Sequence, residues 1–439
     1  MEETGTLFSG QEAAAKAPPL AVLVAVVLED GDEMDTDSSL DELEELLKTA
    51  GGEAYCRLIQ TRQKPEKATY IGSGKLAELA EICRNAEIEL VVFDCELLPS
   101  QIANIENALE NTRVIDRTML ILDIFAGRAR TGEGILQVEI ANLKYTLPRL
   151  IGKGKELSRL GGGIGTRGPG ESKLEMDKRK IRQKLVRLEE ELARLSRQRD
   201  TQRKTRNRSG IFRIAVAGYT NAGKSTLLGA LCEEDIAGED KLFATLDPLT
   251  RRLRLPNAGE ALITDTVGFI NRLPHHLVEA FRSTLEEVLY SDLVLIVMDG
   301  ADPKFLQKLS ITEKVLTELY GNKKLDPAPF LYVINKCDRP ESVFNRSSLS
   351  DGRESVCVSA KTGAGLDELL KKIEEVASRR KRTYRFLLPH AEGGKLDLLY
   401  KNGTVQSVEY LPEGIEITAE CDEKLKGMLS AYLANEKEK

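Results

Sequence analysis

The chain contains a glycine and a later Gly-Lys-Ser run at the spacing of a loop that can wrap around a phosphate group. Gly218 follows a short apolar stretch, and Gly223, Lys224 and Ser225 complete the pattern Gly-x4-Gly-Lys-Ser. Glycines let backbone N–H groups turn toward a phosphate, and the following helix points its positive end at the same group. Lys224 supplies a charge for the outer phosphates, and the Ser225 hydroxyl can ligate Mg²⁺. Taken alone, the pattern leaves open a chance glycine-rich turn between a strand and a helix.

Three later segments, each at the end of an apolar run, carry the other groups that a guanine nucleotide needs. Residues 265–268 (DTVG) place an acid and then a glycine beside the phosphates, and residues 335–338 (NKCD) end in a carboxylate. Asp338 can accept two hydrogen bonds from the amide edge of guanine, which adenine cannot supply, so we expect it to select the base. Residues 359–361 (SAK) suit backbone contacts to the base. In this order, the four segments resemble the GTPase superfamily.

The segment FATLDP at residues 243–248 lies between the phosphate loop and Asp265. Thr245 is placed to ligate Mg²⁺ and to sense the last phosphate, so we expect the segment to order with GTP and to loosen after hydrolysis. The predicted magnesium ligands are Ser225 and Thr245, with Asp265 acting through a water. The predicted GTP-binding residues are Gly218, Tyr219, Thr220, Asn221, Ala222, Gly223, Lys224, Ser225, Thr226, Phe243, Ala244, Thr245, Leu246, Asp247, Asp265, Thr266, Val267, Gly268, Asn335, Lys336, Cys337, Asp338, Ser359, Ala360 and Lys361.

The composition is that of a globular protein and excludes several classes of function. Of 439 residues, 41% are hydrophobic and 30% are charged, which predicts about two to four domains with substantial cores. Seven cysteines without a C-x-x-C pair indicate reduced thiols, and three histidines argue against a His-rich metal site. The apolar run at residues 20–28 is too short to span a bilayer. We therefore expect a cytoplasmic protein without a transmembrane segment, and peripheral membrane association is left open.

One block of the chain is strongly basic. Residues 144–210 contain twenty Lys and Arg against eight Asp and Glu, within a chain whose net charge is −7. Apolar residues recur every three or four positions in two stretches, residues 136–150 and 181–195. This spacing predicts two helices that pack as an antiparallel hairpin over residues 131–210. A polyanionic partner would bind such a block, and a solvated charged helix face is the alternative.

The predicted tip of this hairpin, residues 151–171, contains eight glycines interleaved with basic residues. Glycine at this density predicts a pliable loop, and basic side chains on such a loop suit the phosphates of irregular RNA. A plain mobile linker is the competing interpretation. The predicted RNA-binding residues are Lys153, Lys155, Arg159 and Arg167.

We predict an α/β protein that contains four folded parts. After a disordered segment at residues 1–19, strands and helices alternate over residues 20–130 and indicate a small α/β domain. The hairpin follows, then a P-loop GTPase domain with a doubly wound sheet at residues 211–382, and then a small α+β domain at residues 383–439 without visible chemistry. Within the first domain, a glycine turn at residues 72–75 opens a helix and could hold an anion, although a tight turn is the simpler interpretation.

Several motifs together resemble a more specific family. The segments YIGSGK (residues 70–75), GTRGPGES (165–172), GYTNAGKST (218–226), FATLD (243–247), DTVGF (265–269) and NKCD (335–338) are similar to those of the HflX family of bacterial ribosome-associated GTPases. The match runs from about residue 20 to residue 382. Ser73 and residues 171–173 depart slightly from the usual family residues.

The resemblance implies partners and a cycle of action. Members of the family bind the large ribosomal subunit and its rRNA in the GTP state and direct the hairpin tip toward the peptidyl-transferase centre. They help to split stalled or idle ribosomes, and GTP hydrolysis drives release. We expect a monomer that uses GTP and Mg²⁺ and acts in a stress response. Asn221 resembles the asparagine of potassium-assisted GTPases, which makes K⁺ a second candidate cofactor.

The residue after the DTVG segment bears on catalysis. Many GTPases place a glutamine there to orient the attacking water, whereas this chain has Phe269. We assign no catalytic side chain, expect Lys224, Thr245 and Gly268 to assist, and predict slow hydrolysis that ribosomes accelerate. The alternative is that Phe269 only packs in its turn.

Two other functions compete with ribosome splitting. The protein could be a GTP-regulated RNA-binding or ribosome assembly factor that splits nothing. Alternatively, the N-terminal domain could bind ATP at residues 72–75 and remodel RNA.

Overall fold

The computed structural model describes residues 18–28, 36–159, 169–207, 211–233, 242–256, 259–272, 282–323, 328–342, 353–378, 382–421 and 423–434. Nearly all of the segment predicted to be disordered lies outside these residues. No helix within the described ranges is long and apolar enough to cross a membrane.

The N-terminal domain alternates strands and helices as the sequence predicts. Its elements are β1 (Leu20–Leu28), α1 (Thr36–Ala50), β2 (Glu53–Arg62), α2 (Ser73–Asn85), β3 (Leu90–Phe93), α3 (Pro99–Leu109), β4 (Arg113–Asp116) and α4 (Arg117–Arg128). The strands pair in parallel in the order β2-β1-β3-β4. The central strand β1 is buried at residues 21–25, as its unbroken apolar run requires.

Two long helices form the hairpin, α5 (Gly132–Arg159) and α6 (Pro169–Asn207). At 1.5 Å per residue, α6 is about 58 Å long. Arg199 near the end of α6 pairs with Glu133 at the start of α5 at 2.9 Å, so the helices run antiparallel. Lys144 and Glu189 form a further pair between the helices at 2.9 Å.

The predicted loop at the hairpin tip is shorter than expected. Residues 151–159 continue α5 despite Pro148 and two glycines, and α6 already begins at Pro169. The prediction of a glycine-rich loop over residues 151–159 is therefore wrong, because each residue added to an existing helix gains a hydrogen bond and the helix tolerates poor helix formers. Lys153, Lys155 and Arg159 belong to the last turns of α5, and Arg167 lies outside the described residues.

The GTPase domain contains a six-stranded sheet. Its elements are β5 (Phe212–Gly218), α7 (Lys224–Cys232), β6 (Leu249–Leu255), β7 (Gly259–Asp265), α8 (Arg282–Leu289), β8 (Leu293–Asp299), α9 (Phe305–Lys323), β9 (Phe330–Asn335), β10 (Ser355–Cys357) and α10 (Leu366–Ser378). The strand order is β10-β9-β8-β5-β7-β6, and only β6 is antiparallel to its neighbour. Sequence reasoning missed β6, although Leu253 and Leu255 alternate with exposed arginines.

The C-terminal domain is a three-stranded antiparallel sheet with order β11-β13-β12. Its elements are β11 (Arg382–Leu388), a 3₁₀ helix (His390–Lys395), α11 (Leu396–Asn402), β12 (Thr404–Leu411), β13 (Gly414–Cys421), α12 (Glu423–Met428) and a second 3₁₀ helix (Ser430–Tyr432). A β-hairpin turn joins β12 to β13, and a Cβ at Gly414 would lie 2.5 Å from the Leu388 carbonyl oxygen.

The cores of the N-terminal and GTPase domains are continuous. Ile121 and Phe125 of α4 belong to the same buried cluster as Phe243, Leu246 and Phe269 of the GTPase domain. The N-terminal domain therefore packs directly against the two segments that border the phosphate end of the predicted nucleotide site.

Candidate nucleotide site

The phosphate loop leaves the buried strand β5 and enters α7 through two glycines in strained positions. Gly218 has φ +153°, and a Cβ there would lie 2.2 Å from the Val297 carbonyl oxygen. Gly223 has φ +86°, and its Cβ would lie 2.3 Å from Nδ2 of Asn335. A side chain at either position would collide with a neighbouring strand end, so the sequence needs glycine at both.

Lys224 is buried at the bottom of this loop. Its Nζ donates to the Tyr219 carbonyl oxygen at 2.8 Å. Burial lowers the pKa of Lys224 to about 8, against the opposing effect of Asp265. A Cβ at Gly268 would lie 2.9 Å from Lys224 Nζ and 2.7 Å from Cγ2 of Thr220. Gly268 therefore lies against the group that would hold the last phosphate.

The three predicted magnesium ligands lie together. Ser225 Oγ donates to Asp265 Oδ2 at 2.6 Å, Thr245 Oγ1 donates to the same oxygen at 2.8 Å, and the two hydroxyls are 2.9 Å apart. Asp265 is fully buried, and its Oδ1 has no hydrogen-bond partner among the described residues. A buried carboxylate oxygen without a partner is costly, and a cation with its waters would satisfy it. The donor set, hard oxygens only, fits Mg²⁺.

The base end of the site is built by three loops that bond to one another. Asn335 donates from Nδ2 to the Ala222 carbonyl oxygen at 2.9 Å and accepts at Oδ1 from the Ala360 amide at 3.0 Å. Ser359 Oγ donates to Asp338 Oδ1 at 2.7 Å, and this bond lowers the pKa of the Asp338 carboxyl. Asp338 is therefore a solvent-facing carboxylate that is held ready to accept hydrogen bonds.

Lys336 joins this end to the phosphate loop. Its Nζ donates to the Asn221 carbonyl oxygen at 2.9 Å and pairs with Asp299 at 2.7 Å. Sequence reasoning missed Asp299, because it ends strand β8, which carries none of the nucleotide motifs.

A cleft of about 680 Å³ runs between these groups. Its lining includes half of the polar residues that the motifs predict, without Asn335, Asp338 and Ser359 of the base end. It also includes Arg339, which follows the NKCD segment and was not predicted. The lining residues are Thr220, Asn221, Gly223, Lys224, Ser225, Thr226, Phe243, Ala244, Thr245, Thr266, Gly268, Lys336 and Arg339.

Three apolar residues among the predicted GTP-binding set have a packing role. Phe243 borders the cleft, and its ring packs in a T-shaped contact with the ring of Phe125 in α4, with ring centroids 4.6 Å apart. Leu246 and Val267 are buried in the core that the two domains share. Only the backbone of these residues is suited to contact a nucleotide.

Three polar residues of that set also direct their side chains elsewhere. The Tyr219 hydroxyl donates to Oε1 of Glu42 in α1 at 2.5 Å. Cys337 Sγ lies 3.2 Å from the Ile334 carbonyl oxygen. Asp247 accepts hydrogen bonds from the backbone amide of Thr131, just before α5. The sequence could not reveal these directions, because each partner belongs to another domain or to the local turn.

Phe269 packs in the protein core. Its side chain is 1% exposed, its amide donates to the Gly218 carbonyl oxygen, and its own carbonyl oxygen accepts from the Thr220 amide at 2.8 Å. The ring therefore takes the packing role that the sequence left open, and the glutamine position of other GTPases carries no polar group here.

A buried ionic network ties the N-terminal domain to the segment after Gly268. Arg117 is only 2% exposed, and its guanidinium donates to Asp94 at 2.7 Å and also pairs with Glu42. The same group donates to the Asn271 carbonyl oxygen at 3.3 Å, and the Asn271 amide donates to the Tyr219 hydroxyl at 2.7 Å. No sequence motif predicted this network, whose members come from three separate parts of the chain.

The glycine turn at residues 72–75 is already occupied by side chains of its own domain. The Gly72 amide donates to Gln60 Oε1 at 2.9 Å, and a Cβ at Gly72 would lie 2.4 Å from an Arg62 guanidinium nitrogen. Lys75 pairs with Glu78 at 2.9 Å. This geometry is that of a filled tight turn and gives no support to a nucleotide site there.

Three protein-family models match successive parts of the chain. Residues 37–126 match the model described as GTP-binding GTPase N-terminal, and residues 128–206 match GTP-binding GTPase Middle Region. Residues 213–336 match the model described as 50S ribosome-binding GTPase.

Similar proteins extend over nearly the whole chain. GTPase HflX of Caldanaerobacter subterraneus is 46% identical over 422 residues, which cover 96% of this chain and 95% of the relative. GTPase HflX of Escherichia coli is 39% identical and covers 89% of each chain. Among solved structures, a GTP-binding protein from Sulfolobus solfataricus in complex with GDP is 23% identical with a TM-score of 0.42, over 82% of this chain and 99% of that one.

Proposed function

The chain belongs to the HflX family of GTPases, and from this premise we propose that it binds the large ribosomal subunit in its GTP state and promotes dissociation of stalled or idle ribosomes. It hydrolyses GTP to GDP and phosphate, and we propose that hydrolysis releases it from the subunit. One matched family model is described as a 50S ribosome-binding GTPase, which supports the choice of partner. A ribosomal partner also favours the cytoplasm as its location.

One observation carries this proposal. Thr245, the residue that would sense the last phosphate, lies within hydrogen-bond distance of Ser225 and Asp265, and Asp247 two residues later contacts the base of the basic hairpin. A nucleotide can change the affinity for a partner only through a difference between two states of the protein. Because the switch segment contacts the hairpin directly, a change in the position of Thr245 can alter the position of the hairpin.

The residues of the cleft have separable roles in hydrolysis. The phosphate-loop amides and Lys224 bind the phosphates, and Gly268 lets the backbone approach the last of them. Ser225, Thr245 and Asp265 would hold Mg²⁺, which neutralises phosphate charge when it is bound. With Phe269 in the core, the position that carries the water-orienting glutamine in many GTPases has no polar side chain, so we propose slow hydrolysis that large subunits accelerate.

Co-sedimentation with large subunits tests this function. We expect the protein to pellet with subunits in the presence of a non-hydrolysable GTP analogue and to stay in the supernatant with GDP. Equal binding in both states would contradict the proposal. Light scattering of intact ribosomes then separates splitting from an assembly role, because only a splitting factor lowers the scattered intensity when GTP is added.

We also propose K⁺ as a second cofactor, on the position of Asn221. This residue lines the cleft with φ +59°, and its carbonyl oxygen is held by Lys336. Replacing K⁺ by Na⁺ at constant ionic strength should slow hydrolysis, and an unchanged rate would remove K⁺ from the mechanism.

A further inference from the structure

The contact between Asp247 and the hairpin base is more extensive than a single bond. Oδ2 of Asp247 accepts from the backbone amides of Arg130 and Thr131, each at 2.9 Å. Oδ1 accepts from the Thr131 hydroxyl at 2.5 Å. The carboxylate thus takes three hydrogen bonds from the two residues that precede α5, and hydrogen bonds to a charged acceptor are stronger than neutral ones.

The start of α5 is shaped to receive this carboxylate. Thr131 caps the helix, since its Oγ1 accepts from the Gly134 amide at 3.0 Å. A helix N-terminus favours a negative charge, which Asp247 supplies from another domain. A Cβ at Gly134 would lie 2.4 Å from Oδ1 of Asp247, whereas a Cβ at Gly132 would meet nothing within 4 Å. The close approach of Asp247 therefore requires glycine at position 134 and not at position 132.

Asp247 is separated from Thr245 by one residue, Leu246, which is 4% exposed in the core shared by the two domains. Thr245 is therefore held between two fixed points. On one side its hydroxyl bonds to Asp265 at 2.8 Å. On the other side the buried Leu246 and the triply bonded Asp247 restrict its backbone.

We propose that Thr131 is a positioning residue for GTP hydrolysis, which acts through Asp247 to hold Thr245 at the magnesium end of the cleft. The base of the hairpin is then a structural part of the GTPase site. If the hairpin base stabilises the position of Thr245, then a nucleotide that holds Thr245 stabilises the hairpin base by the same free energy, because such coupling is reciprocal. This reciprocal effect on the hairpin rests on the proposed function, whereas the effect on hydrolysis does not.

A pair of glycine variants tests the link without removing any polar group. Gly134→Ala places a methyl group against Asp247, and Gly132→Ala, two residues earlier in the same helix, places the same group in open space. Alanine favours the helix at both positions. We expect Gly134→Ala to lower kcat about tenfold and to raise the half-saturating Mg²⁺ concentration several-fold, roughly the effect of losing one charged hydrogen bond. Gly132→Ala should match the wild type, and both should bind GDP normally.

A threonine series gives the independent check. Thr131→Val should reproduce the defect, and Thr131→Ser should restore the wild-type Mg²⁺ dependence because it keeps the hydroxyl. Thr146→Val is the matched control, since the Thr146 hydroxyl lies on the same helix and donates to the Asn142 carbonyl oxygen of that helix at 2.7 Å.

Hydrogen exchange gives a readout that needs neither activity nor a ribosome. In the nucleotide-free protein, the amides of Arg130 and Thr131 should exchange slowly, and Gly134→Ala should accelerate them about tenfold while Gly132→Ala leaves them unchanged. Equal exchange and equal Mg²⁺ dependence in the two glycine variants would overturn the proposal, as would failure of Thr131→Ser to recover. Since no ribosome is present, these outcomes are independent of whether the proposed ribosomal function holds.

Discussion

The two ends of the nucleotide cleft are held in different ways. At the base end, the hydrogen bonds that Asn335, Asp338 and Ser359 make within the described part of the chain all go to loops of the GTPase domain. At the phosphate end, the two segments that border the last phosphate bond to other domains. Asp247 bonds to Thr131 at the hairpin base, and the segment after Gly268 bonds to the N-terminal domain.

Recognition of the base and switching therefore depend on different sets of contacts. Recognition of guanine needs a fixed geometry, and a single domain provides it. A switch segment instead makes different contacts in its two conformations. Its contacts therefore include the domains whose position it changes. Arg272 is a second contact between the segment after Gly268 and the N-terminal domain, since it donates to the Asp94 carbonyl oxygen at 3.0 Å. We therefore expect substitutions at the base end to change affinity and those at the phosphate end to change hydrolysis.

The largest effect should follow from Asp338→Asn at the base end. An amide replaces one acceptor by a donor, so one of the two bonds to guanine becomes a repulsive contact. We expect GTP affinity to fall about ten-thousandfold, the discrimination of sites that are built to hydrogen-bond a polar group of the ligand. Xanthosine triphosphate, which presents a carbonyl where guanine has its amino group, should bind the variant better than GTP does. Competition binding measures both, and undiminished GTP affinity would assign base selection to other residues.

Gly268→Ala should separate the two ends most clearly. The new methyl group would lie 2.7 Å from Cγ2 of Thr220 and 2.9 Å from Nζ of Lys224. We expect GTP hydrolysis to fall about a hundredfold, the cost of losing one well-placed transition-state contact. GDP affinity should change less than threefold, because the base end is untouched. Gly321→Ala, whose methyl group meets nothing within 4 Å, is the control. A parallel loss of GDP binding would show that the two ends are not independent.

Tyr219→Phe tests whether the N-terminal domain supports the phosphate end. The substitution removes the hydroxyl that donates to Glu42 and accepts from the Asn271 amide at 2.7 Å. Since it leaves a partly buried amide without a partner, we expect hydrolysis to fall about tenfold with little change in GDP affinity. Tyr332→Phe removes a comparable bond to Glu313 at 2.7 Å and should have no effect on hydrolysis. Equal rates for the two variants would contradict a role of the N-terminal domain.

The smallest effect is a dependence of GTP binding on pH. Burial lowers the pKa of Lys224 to about 8. Below that pH the lysine is already charged and the affinity should be flat. Above it, the lysine must take up a proton to bind phosphate, so affinity should fall as pH rises, by about fourfold between pH 7 and pH 8.5. Calorimetry in two buffers of different ionisation enthalpy measures the proton uptake, and its absence at pH 8.5 would place the pKa higher.

Local features of the fold were accessible from the sequence and long-range features were not. Alternating apolar segments predicted the α/β N-terminal domain, and regular apolar spacing predicted both hairpin helices. The continuation of α5 over residues 151–159 was missed, because the glycines there disfavour a helix by local propensity and helix continuation overrides it. Strand β6 was missed because it is a charged edge strand with only one buried face.

The residues that carry the chemistry of the cleft could be identified from the sequence, since the phosphate loop and the guanine selector each lie in a short motif. The magnesium ligands Ser225, Thr245 and Asp265 each lie in such a motif too, although the motifs are spread over residues 225–265. The tertiary structure decided which of these residues face the nucleotide and which reach out to other domains. Tyr219, Asp247 and Phe269 all lie in nucleotide motifs, yet their side chains contact α1, the start of α5 and the shared core. The physical reason is that a side chain takes its direction from whatever packs beside its backbone, and those neighbours are more than a hundred residues away in the sequence for both Tyr219 and Asp247.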